Sequence, residues 1–144
     1  MKQRGFTLLE VLLSVTIITV LVGASLPVYE SFVRRNDLDL TTQRVAEALR
    51  RAQTYARAAK GDVDWSVAVQ TSAVTLFEGT NFAGRDTGMD EVITLPATVT
   101  PGGLSEVRFA KFSATPNTTG TITFSSTIND TRIITINAKG MVDY

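Results

Sequence analysis

Between Val11 and Leu26 the chain carries no charged side chain, and the 22 residues from Phe6 to Pro27, FTLLEVLLSVTIITVLVGASLP, are apolar almost throughout. As a helix they span about 33 Å at ~1.5 Å per residue, enough to cross a hydrocarbon layer about 30 Å thick. Lys2 and Arg4 lie just before this stretch. By the positive-inside rule they predict a cytoplasmic amino terminus, with the rest of the chain beyond the membrane. An ordinary secretory signal is the alternative, with Val22-Gly23-Ala24 as its small-residue cleavage site. Two features oppose it: the apolar run exceeds the usual ~7 to 15 residues, and Glu10 lies inside it. A carboxylate within a membrane helix costs roughly 2.5 to 3.5 kcal/mol even on lenient scales, so its presence points to function.

Composition removes most catalytic options. The sequence has no histidine and no cysteine, which excludes histidine-based nucleophile systems, imidazole general bases, disulfides and the usual zinc, haem and iron-sulfur ligand sets. No Gly-x-x-x-x-Gly-Lys-Ser/Thr phosphate loop is present either. We expect no enzyme activity, no cofactor and no metal. The 14 basic and 14 acidic side chains cancel to a formal charge of +0, but unevenly. Residues 31 to 60 hold seven basic and three acidic groups, and residues 61 to 144 hold five and nine. A basic segment and an acidic one of this kind could attract each other within a subunit or between neighbours.

Gly5-Phe6-Thr7-Leu8-Leu9-Glu10, behind a short basic leader and ahead of an apolar helix, resembles the class III signal of type IV pilins and type II secretion pseudopilins. The resemblance implies that a prepilin peptidase cuts between Gly5 and Phe6 and methylates the new amine of Phe6. It also implies that Glu10 is an assembly residue, pairing with a neighbouring subunit's Phe6 amine. Physics agrees, because an unpaired carboxylate in lipid is costly and a paired one much less so. Removing the leader takes two positive charges with it, leaving the mature side chains at −2.

Pro27 stands where such a helix would emerge from the bilayer; lacking an amide hydrogen, it should kink or locally melt the helix. Beyond it Leu38, Val45, Leu49, Ala52, Ala56 and Ala59 follow a helical period, with Arg44, Glu47, Arg50, Arg51 and Arg57 opposite and Gly61 as the expected C-cap. From Gly61 onward, threonine, valine, isoleucine and phenylalanine alternate with turn residues. Strands are predicted at 63 to 69, 74 to 78, 91 to 95, 106 to 112, 121 to 128 and 131 to 137. Asn129-Asp130 should form a tight hairpin turn. Trp65, Phe77, Phe109, Phe112 and Phe124 are expected in a core beneath the helix.

The expected architecture is therefore α+β, a pilin fold: a long amino-terminal transmembrane and amphipathic helix packed on a small antiparallel sheet of five or six strands. Its parts are a leader (1 to 5), a transmembrane or filament-core helix (6 to 29), the amphipathic half of that helix (30 to 60) and a β-rich globular domain (61 to 144). Trp65-Ser66-Val67 and the closing Arg132 strand with Lys139-Gly140 resemble the H-type pseudopilins and FimT/FimU-like minor pilins. A pilin or pseudopilin of this sort would have prepilin peptidase, other subunits, an inner-membrane assembly platform and membrane lipid as partners. It would reside in the cytoplasmic membrane with its carboxy-terminal domain outside, then in a periplasmic or surface filament. A filament-tip binding module and a plain membrane-anchored globular protein remain alternatives. Nucleic acid is not an expected partner, since the arginine stripe is broken by Glu47 and lacks interleaved aromatics. Asp86, Asp90 and Glu91 could hold calcium, although a solvated turn explains them too. Asn117 and Asn129 begin glycosylation sequons.

Overall fold

The computed structural model describes residues 5–144, the side chains of 24–27 excepted. The leader charges Lys2 and Arg4, and the side chain of Pro27 to which a kink is assigned, fall outside that description. The described residues separate into two compact units, one ending at Val33 and the other running from Arg34 to Tyr144. A single helix, α1 (Leu8–Arg57), contributes to both.

In the first unit the large apolar side chains, from Phe6 and Leu8 through Leu21 and Val22, are all exposed. A helix that is apolar on every side needs a nonaqueous surrounding, and α1 is long and apolar enough to cross a membrane by length and composition. Its hydroxyls are accommodated locally. Ser14, Thr16 and Thr19 donate to the carbonyls of Glu10, Leu12 and Val15 at 2.7, 2.7 and 2.8 Å. Each polar side chain is thus satisfied four residues back, the arrangement a hydroxyl needs where water is absent.

In the second unit α1 becomes amphipathic. Leu38, Val45, Leu49, Ala52 and Ala56 are fully buried, as their spacing predicts. The helix stops earlier than expected: Ala58 N still bonds Thr54 O, but Ala59 N turns to Ala56 O, tightening the last turn. Ala59 takes the left-handed conformation, φ 49° and ψ 37°, and Lys60–Asp62 forms a separate 3-10 turn. The Trp65 indole fastens that turn by donating to Lys60 O at 3.0 Å. Ala59, not Gly61, therefore takes the first left-handed position.

Eight strands follow, in two sheets instead of one. They are β1 (Trp65–Val69), β2 (Ala73–Glu78), β3 (Glu91–Thr94), β4 (Val99–Gly103), β5 (Glu106–Phe109), β6 (Gly120–Ser126), β7 (Thr131–Ile136) and β8 (Val142–Asp143). The first sheet has the order β3-β2-β1-β5 and the second β4-β6-β7-β8, and the strand pairings among the described residues are antiparallel. Trp65, Val67, Val74 and Leu76 from the first sheet and Ile122, Phe124, Ile134 and Ile136 from the second meet the helix stripe in one core. β4 was not predicted, because Val-Thr-Pro-Gly-Gly has little strand propensity. It lies at a sheet edge, where proline is tolerated. β8 occupies what reads in the sequence as a tail, pairing Ile136 with Val142.

Two aromatic expectations need correction. Phe112, expected in the core, is 65% exposed and adopts φ 67°, because β5 ends at Phe109. Phe77 is buried, but its register opposite Ser66 puts it on the face of the first sheet turned away from the helix. The segment after β2 covers it there. Phe82 meets Phe77 edge-on at 5.6 Å, and Arg85 stacks over Phe82 at 3.6 Å while holding Asp90 at 2.8 Å.

The β6–β7 connection also departs from the two-residue turn expected at Asn129-Asp130. Residues 127–130 form the loop, only Asn129 takes positive φ (64°), and Ser126 N closes it on Asp130 O at 2.8 Å. Gly103, at the end of β4, has φ +84°, and a Cβ there would collide with the carbonyl oxygen of Thr121. Because that obstacle is backbone, Gly103→Ala should destabilise the Arg34–Tyr144 unit by about 2 kcal/mol or more. Thermal unfolding of the purified chain would reveal this as a drop of several degrees.

Candidate functional site

The chemistry expected of the amino terminus depends on where the helix begins. Gly5, Phe6 and Thr7 precede α1 and are not helical. Thr7 ends the nonhelical run, with its carbonyl accepting from Glu10 N and Val11 N at 3.1 and 3.2 Å. Its hydroxyl also accepts from Glu10 N at 3.3 Å, the N-capping arrangement that satisfies an otherwise orphaned helix donor. Thr-x-x-Glu is the sequence signature of a capping box. That signal stands in the sequence as Thr7 and Glu10, apart from the leader resemblance.

The cap decides what a protease would meet. The Gly5 to Phe6 bond lies outside the helix, two residues before its first turn, so its carbonyl and amide are not committed to the helical ladder. Phe6 is 82% exposed, and nothing lies within 4 Å of the position a Cβ on Gly5 would occupy. Glu10, in the first turn, is also exposed. A negative side chain there is favoured by the helix dipole, and its carboxylate forms no ion pair among the described residues. The three expected site residues therefore share one end of one helix: an accessible glycine, an accessible residue to carry the new amine, and an unneutralised carboxylate one turn further on.

Elsewhere the acidic groups considered for calcium go to separate partners. Asp86 accepts from Gly88 N at 2.9 Å and caps a 3-10 turn, Asp90 pairs with Arg85, and Glu91 pairs with Arg51 on the helix. No carboxylate group suited to a metal occurs among the described residues. The attraction expected between basic helix and acidic globule is partly realised within the second unit. Arg35 meets Asp130 at 3.0 Å, Arg51 meets Glu91, and Asp39 meets Arg132 at 2.8 Å in the opposite sense. These pairs are partly exposed, so each contributes no more than about 1 kcal/mol.

Comparison with known families agrees with the amino-terminal geometry. Residues 1–26 match the family model described as the prokaryotic N-terminal methylation motif. That motif is the one type IV pilins and type II secretion pseudopilins carry, and it implies processing by a prepilin peptidase. Taken with a long helix packed on antiparallel sheets, it defines a pilin-like α+β protein with an apolar amino-terminal helix. No curated protein and no solved structure matches the chain.

Proposed function

We propose that the chain is a structural subunit, a pilin or pseudopilin, of a type IV pilus-like or type II secretion filament. The precursor is held in the cytoplasmic membrane by α1, cut after Gly5, methylated on Phe6, and drawn by an assembly platform into a filament whose core consists of these helices. Glu10 pairs with the Phe6 amine of a neighbour and sets the axial register, while the Arg34–Tyr144 unit faces outward. The observation that carries this reading is the motif's placement: a nonhelical Gly5-Phe6 bond, a capped helix start, and an unneutralised Glu10 on an otherwise apolar helix. A carboxylate in that setting invites an external cation, and polymerisation supplies one from the next copy.

The test is expression of the precursor with a prepilin peptidase and a filament assembly platform, followed by shearing and ultracentrifugation. The chain should appear in the sheared fraction as filaments visible by electron microscopy. Processed chain that stays entirely in the membrane as monomer would contradict the proposal.

A further inference from the structure

Once the ion pairs inside the Arg34–Tyr144 unit are set aside, two groups of charges without an ion-pair partner among the described residues stand on its helix side and on its first sheet. Helix α1 presents its buried stripe to the core, so its other side faces solvent. Arg44 on one flank of that side and Arg57 on the other are exposed, and among the described residues neither has an ion-pair partner. Arg50 joins them, bonded to Val142 O at 3.1 Å and stacked on Tyr144 at 5.1 Å. Those contacts position its guanidinium and leave its charge uncancelled. Glu47 offsets only one of the three.

The first sheet turns Trp65, Val67 and Leu76 toward the helix and its alternate residues away. Glu106 lies opposite Ala68 on that outward face, and Asp86 belongs to the segment covering Phe77 there. Neither carboxylate has an ion-pair partner among the described residues. The cations on the same face, Arg85 and Arg108, are already engaged by Asp90 and Asp64. Arg44, Arg50 and Arg57 on the helix and Asp86 and Glu106 at the first sheet thus have the core between them and cannot satisfy each other within one copy.

We propose that the exposed α1 face around Arg44, Arg50 and Arg57 docks on the outward face of the first sheet, around Asp86 and Glu106, of a second copy of this chain. The two surfaces differ, so the contact is head-to-tail and leaves a free surface of each kind at its ends. Such contacts propagate instead of closing into a dimer. The inference rests on the filament reading and adds which surfaces of the outer unit meet. Complementary charge at these positions would also fix which face a neighbour takes.

The test uses the full chain, coexpressed in one membrane as two differently tagged copies, with recovery of one tag measured through the other. Wild-type copies should recover each other, less well as salt rises. Arg44→Glu with Arg57→Glu should lower self-recovery about five-fold or more, as should Asp86→Lys with Glu106→Lys. Mixing the two variants should restore recovery, because the reversed helix of one then faces the reversed sheet of the other. Glu106→Lys alone, which keeps the Asp86 cap, should give an intermediate loss and keeps the test valid if the double variant misfolds. Recovery that ignores these charges, or a mixture no better than either variant alone, would overturn the proposal. Filament formation is scored separately in the same cells, so normal filaments with charge-independent recovery would reject this contact and leave the filament reading standing.

Discussion

A chain carrying Gly5→Val stays at precursor length, with Met1 to Gly5 attached, in a host whose prepilin peptidase processes the wild type. The expected loss is nearly complete, and its origin lies outside the chain's own fold. Nothing lies within 4 Å of the space a Cβ on residue 5 would enter, and the first helical residue is Leu8. The substitution therefore costs the subunit no packing. What changes is the backbone a protease must take in: glycine lets the segment enter a narrow cleft, and a β-branched residue both fills the cleft and restricts φ and ψ. Immunoblotting of membranes should show unprocessed chain at wild-type abundance. Normal processing of Gly5→Val would mean that the motif is not read as proposed.

Glu10→Leu should separate two steps that Gly5→Val blocks together. Removing a carboxylate from an apolar helix makes membrane insertion easier by roughly 2.5 to 3.5 kcal/mol, so the variant should accumulate in the membrane at least as well as wild type. Cleavage should persist, since Gly5, Phe6 and the Thr7 cap are untouched. Filament yield should fall by about ten-fold or more, because the ion pair proposed to offset the buried charge and set register could no longer form. Glu10→Asp, which keeps the charge on a shorter arm, should recover part of that yield. Sheared-filament yield divided by processed membrane pool is the measurement, and a ratio unchanged in Glu10→Leu would remove the assembly role from this residue.

What could be read from the sequence, and what could not, follows from the range of the interactions involved. The helix stripe from Leu38 to Ala56 was legible because its period is local and one face is buried along its whole length. β1 and β2 were legible for a similar reason, through apolar alternation at Trp65, Val67, Val69, Val74 and Leu76. β4 was not, because Pro101, Gly102 and Gly103 become a strand only by pairing with Phe124, Thr123 and Ile122. Nor does local sequence say that eight strands divide into two sheets. That division depends on the chain crossing at Leu104, whose amide bonds Thr121 O while Ser105 O accepts from Val69 N.

The amino-terminal site shows the opposite balance. Gly5, Phe6 and Glu10 stand out in the sequence through the resemblance of the amino-terminal motif, which is encoded in one dimension, and the roles given to them belong to the proposal. The Thr7 cap was legible in principle and matters physically, since it ends the helix before the scissile bond. The acidic residues 86, 90 and 91 looked like one cluster in sequence. In space they serve a turn, a neighbouring arginine and the helix, respectively, a separation that only tertiary packing produces.

The most direct test of the filament-subunit reading is the intact mass of the chain recovered from membranes of a host with an active prepilin peptidase. The mass should equal residues 6 to 144 plus one methyl group, with fragmentation placing the methyl on the amine of Phe6. Full-length chain still beginning at Met1, or a product cut near Val22-Gly23-Ala24 as a secretory signal would be, contradicts it.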